Sequence, residues 1–87
     1  MPRISYFYGI AIWMYSNEGV HAVPHFHARY AGHQASVSLT GEVIVGSLPG
    51  RALRMVQEWT ALHVDELQAN WDRARGGEPL LPIDPLG

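Results

Sequence analysis

His25 and His27 stand two residues apart in the run Pro24-His25-Phe26-His27-Ala28-Arg29-Tyr30. In an extended strand that spacing sends both imidazoles to one face, about 6–7 Å apart. Neutral imidazole nitrogens so placed reach a single zinc, nickel or copper ion. A metal site needs a third ligand, and the chain offers His21, His33, His63, Glu42 and Asp65. If His63 turns from the apolar side of a downstream helix towards the strand, a His25, His27, His63 site for a divalent ion such as zinc or nickel results. The same pair supports a metal-free alternative. One histidine takes a proton from a ribose 2′-hydroxyl, the other protonates the leaving oxygen, and Arg29, two residues further on the same face, steadies the phosphate. Trp13 or Tyr30 would stack a base if exposed to solvent. Against both stand plainer roles: packing and hydrogen bonding for the histidines, and an edge-strand salt bridge for Arg29.

The composition narrows the setting. Eighty-seven residues and 9.7 kDa suit one domain, with residues 1–87 forming a single core. A hydrophobic content of 47% with only 16% charged residues argues against disorder. All six basic residues are arginine, against eight acids, for a net charge of −2. Nucleic-acid binders usually carry a basic excess, so any such role rests on local clusters. The lack of cysteine removes disulfides, thiolate catalysis and cysteine zinc sites together. No apolar run approaches the roughly 20 residues of a membrane span. Met1-Pro2-Arg3 does not open a signal peptide, so a cytoplasmic location is expected.

The elements that must position these residues follow from periodicity. An aromatic and β-branched stretch without a polar face predicts a buried strand over about 8–15, with Gly9 marking a bend or bulge. Turn residues Ser16 to Gly19 begin a loop lasting to Pro24. Alternation predicts strands over about 25–31 and 34–40, and Thr40-Gly41-Glu42 turns the chain into a strand over 42–46. Ser47 as N-cap and Pro49 in the first turn open a helix over about 49–75, closed by Gly76-Gly77. This is read as one long helix, with a break near His63 as the alternative, where Asp65 and Glu66 would open a second segment. Trp59 and Trp71 are expected to complete the core, while Arg51, Arg54 and Glu58 form a solvated face. Prolines 79, 82 and 85 make residues 78–87 an extended tail laid on the core. The expected class is α+β: three or four antiparallel strands with the helix covering one sheet face.

Pro2-Arg3-Ile4-Ser5, Phe7-Tyr8-Gly9-Ile10, Pro24-His25-Phe26-His27-Ala28, Gly41-Glu42-Val43-Ile44, Leu48-Pro49, Asn70-Trp71 and Pro82-Ile83 run through nearly the whole chain. In this set it resembles a family of small bacterial proteins known as domain of unknown function 4160. Val23 stands where that family usually has the first of two prolines. The resemblance implies no established activity. It does imply a small neighbour-encoded partner, in pairs proposed to be toxin–antitoxin modules. On that reading His25, His27 and Arg29 form an active or contact surface, and the acid–base chemistry of the histidine pair adds RNA as the macromolecule acted upon. The alternatives are metal binding and a non-catalytic interaction module, with a homo-oligomer also allowed.

Overall fold

The computed structural model describes residues 3–15 and 23–87. Five strands, β1 (Arg3–Phe7), β2 (Ile10–Trp13), β3 (His25–Tyr30), β4 (His33–Ser38) and β5 (Val43–Gly46), precede two helices, α1 (Gly50–Leu62) and α2 (Val64–Arg75). The strands form one antiparallel sheet in the order β1-β2-β3-β4-β5. The α+β class holds, with more strands than expected. The single strand foreseen over 8–15 is a hairpin, because Tyr8 and Gly9 both take positive φ, 50° and 81°. Two such residues make the tight turn whose twist matches paired strands. Ala31 and Gly32, at 47° and 83°, do the same between β3 and β4.

The helix also differs from the favoured single run. It breaks at His63, where φ −127° and ψ 24° leave the helical region. The His63 carbonyl accepts from Leu67 N, and Asp65 and Glu66 lie in the first turn of α2, where the helix dipole favours acids. At the start of α1 Pro49, not Ser47, is the N-cap, and no side chain caps the helix. Arg51, Arg54 and Glu58 are exposed, as a solvated face requires.

One sheet face is buried. Ile10, Ile12, Phe26, Ala28, Ala35 and Val37 meet Ala52, Val56, Trp59, Leu67 and Trp71 from the helices. Buried Ser5 lies on the β1 edge, and its Oγ has no hydrogen-bond partner among the described residues. An unpaired buried hydroxyl costs stability, so Ser5→Ala is expected to raise the thermal midpoint by roughly 4–8 °C, corresponding to about 1 kcal/mol. A fall in midpoint would show that the hydroxyl is satisfied.

The tail is held as an extended clasp. Ile83 N donates to Ile4 O at 2.8 Å, and the Trp59 indole donates to Asp84 O at 2.8 Å. Buried Asn70 bonds both backbone groups of Leu81: Nδ2 donates to its carbonyl at 2.8 Å, and its amide donates to Oδ1 at 3.0 Å. Arg73 donates to the same Oδ1 at 3.0 Å. Asn70→Ala orphans these groups and is expected to cost about 2 kcal/mol, read as a midpoint roughly 8–16 °C lower in a thermal melt. A midpoint unchanged from the parent would mean that the tail is not held by Asn70. Among the described residues, no helix is long and apolar enough to cross a membrane.

Candidate functional site

Phe26 and Ala28 are wholly buried, so alternation turns His25, His27 and Arg29 to the opposite face of β3. Among the described residues, the helices pack in the core on the face of Phe26 and Ala28. Residues directly opposed on neighbouring strands share a face, which makes it a grid. One row runs Arg3, Trp13, His27, Ser36, Val45 across all five strands. A second runs Tyr6, Ala11, Arg29, Gln34, and His25 faces Ser38 in a third.

The two imidazoles meet edge to face, with ring centroids 5.2 Å apart and planes at 75°. His25 opens β3, where its ring also lies 5.3 Å from that of Trp71 at the end of the core. Its Nδ1 lies 2.6 Å from Val23 O. A carbonyl only accepts, so Nδ1 carries the proton and the lone pair of the neutral ring falls on Nε2. His27 Nδ1 is 3.3 Å from Ser36 Oγ, and its ring stands edge-on to Tyr15 at 4.6 Å. Both histidines are thus oriented by neighbours and half-buried.

Arg29 is exposed on the middle strand, so the edge-strand ion pair gives way to another arrangement. Its guanidinium lies 4.8 Å over the Trp13 ring, and Nη2 donates to Gln34 Oε1 at 3.4 Å. A second such pair stands on β1, with Arg3 Cζ 5.0 Å over Tyr6. Of the two aromatics considered for base stacking, Trp13 lies on this face. Tyr30 is half-buried against the core on the other. The five strands hold two arginines, three histidines and no acid. Among the described residues every acid lies off the strands, so the strands are locally basic.

The other residues weighed as third ligands are not gathered here. His63 lies at the helix break, with Nδ1 2.6 Å from Glu66 Oε1 and its ring 5.6 Å from that of Trp59. His33 pairs with Tyr30 and takes the face of Ala35 and Val37. Glu42 is exposed in the β4–β5 turn, and Asp65 is exposed on α2. His21 lies outside the described residues. Among the described residues no three His, Cys, Asp or Glu side chains are grouped to hold a metal ion. Arg3, Tyr6 and Ser36 entered the site without having been singled out. The signal for them is cross-strand register, which for Arg3 and Tyr6 is readable only once Tyr8-Gly9 is recognised as a turn.

The family model described as Domain of unknown function (DUF4160) matches residues 9–72, which hold β2 to β5, α1 and most of α2. No curated protein and no solved structure matches the chain.

Proposed function

The chain belongs to the family described as Domain of unknown function (DUF4160), and from that premise we propose that it acts on RNA as one component of a two-protein, toxin–antitoxin-like module. The observation that carries the RNA reading is the pair of oriented imidazoles, 5.2 Å apart, beside Arg29 on an acid-free sheet. The two-protein context comes from the family resemblance.

The chemistry is transesterification. His25 Nε2, which bears the lone pair, takes the proton of a ribose 2′-hydroxyl as its oxygen attacks phosphorus. His27 protonates the departing 5′-oxygen as the P–O bond breaks. Arg29 holds the non-bridging oxygens while charge develops on them. The products are a 2′,3′-cyclic phosphate and a 5′-hydroxyl, and no metal takes part.

The test is incubation of the purified chain with end-labelled single-stranded RNA in EDTA, with the product ends identified. Cleavage to cyclic phosphate ends is expected, together with growth arrest when the chain is expressed alone. Intact RNA across the pH range would overturn the proposal. Cleavage abolished by EDTA would overturn its metal-free chemistry.

A further inference from the structure

The reacting groups occupy only part of the open face, and the rest of the grid has a regular composition. Arg3 over Tyr6 and Arg29 over Trp13 are two guanidinium–aromatic stacks on the same side of the sheet. Both arginines are exposed, and Tyr6 is 52% exposed on a strand edge. A large aromatic in that position gains nothing from the core.

We propose that this face is a binding platform for unpaired RNA bases. The strand crosses β1, β2 and β3, its bases stack on the Arg3–Tyr6 and Trp13–Arg29 pairs, and a phosphate is delivered to His25 and His27. This names the substrate form of the site above and rests on that reading for the delivery step alone.

Three observations support it. First, charge is segregated: the chain is net negative, yet among the described residues no acid lies on any strand. A polyanion is thus attracted to this face in preference to the helices. Second, aromatic rings and guanidinium planes are the two surfaces on which unpaired bases stack without regard to sequence. Third, the geometry matches. Arg3, Trp13 and His27 are directly opposed on successive strands, so they step across the sheet by about 4.8 Å each. Stacked bases advance by about 3.4 Å, so three or four nucleotides span the row. Paired bases hide their faces within the duplex and leave these platforms nothing to stack on.

The experiment is fluorescence anisotropy with a labelled 2′-O-methyl RNA hexamer, which lacks the attacking hydroxyl and cannot be cleaved. A duplex of the same sequence and a DNA hexamer serve as comparators. The hexamer should bind at least about tenfold more tightly than the duplex, and the affinity should fall as salt rises. Tyr6→Ala and Trp13→Ala should each weaken binding by about 5- to 150-fold, the range measured for loss of one stacked base. Trp13→Phe should retain most of the affinity. Circular dichroism checks that each variant folds, and exposed Tyr6 keeps the test valid should Trp13→Ala unfold. Absence of hexamer binding, equal binding of the duplex, or unchanged affinity in both alanine variants would overturn the platform. Equal binding of the DNA hexamer would overturn its assignment to RNA. Hexamer binding that depends on Tyr6 and Trp13, in a protein that leaves ordinary RNA intact, would sustain the platform and overturn the acid–base reaction. Cleavage of ordinary RNA with no effect of the stacking variants would do the reverse.

Discussion

Replacing His25 or His27 by asparagine is expected to slow metal-independent RNA cleavage by about 10²–10⁴-fold while the protein stays folded. Asparagine is the informative substitution because its amide nitrogen approximates Nδ1. His25→Asn keeps a donor for Val23 O, and His27→Asn keeps a partner for Ser36 Oγ, while both lose Nε2. The two groups act in one transition state, so the double variant should be little slower than the worse single one. The pH profile separates their roles. A base that must be unprotonated sets the acid limb, and an acid that must be protonated sets the alkaline limb. His25→Asn should therefore flatten the acid limb, and His27→Asn the alkaline one. Single-turnover cleavage measured across pH reads all of this, and growth arrest should be relieved in parallel. Variants that keep full rate and both limbs would remove these residues from the chemistry.

The largest effect on stability is expected at Trp59. Its side chain is fully buried, 5.4 Å from the Phe7 ring and 5.6 Å from those of Phe26 and His63, and its indole donates to Asp84 O. It thereby joins the first and third strands, the helix junction and the tail. Trp59→Ala leaves a cavity where all four meet and should cost about 3–5 kcal/mol. A chain of this length has about 4–13 kcal/mol in all, so much of the population should unfold at low denaturant. Trp59→Phe keeps most of the packing and loses the indole donor, so it should lie between the two. Urea titration followed by far-ultraviolet circular dichroism measures both. A loss under about 1 kcal/mol for the alanine variant would contradict the packing described.

Why the sequence was legible in some places and opaque in others is clear from particular residues. Strict alternation from His25 to Tyr30 placed both histidines and Arg29 on one face, because a period of two admits only two sides. The burial of Phe26 and Ala28 then decided which side. The first hairpin stayed hidden because a turn with two positive φ values normally carries Asn-Gly or Asp-Gly, and here an aromatic residue fills the first position. Missing that turn also hid Arg3 and Tyr6, since their place beside Trp13 depends on register and not on local pattern. The helix break was visible as an alternative through Asp65 and Glu66. The pairing of His63 with Glu66 was not, since apolar periodicity does not show which neighbour a polar ring will choose. The grip of Asn70 on Leu81 was hidden as well, since it requires a tail that periodicity cannot dock.

That grip bears on the order in which the molecule assembles. Every ladder of the sheet joins strands consecutive in sequence, and two of the connections are two-residue turns. Such pairings close short loops and lose little chain entropy before they gain contacts. Docking Ile83 against Ile4 is different, because it unites segments from opposite ends of the described chain. The meander can thus form ahead of its clasp. Contacts made after the barrier govern the rate of escape from the native state and not the rate of arrival. A clasp docked in that order is expected to act as a kinetic lock, lengthening the lifetime of the sheet more than it changes the rate of its formation.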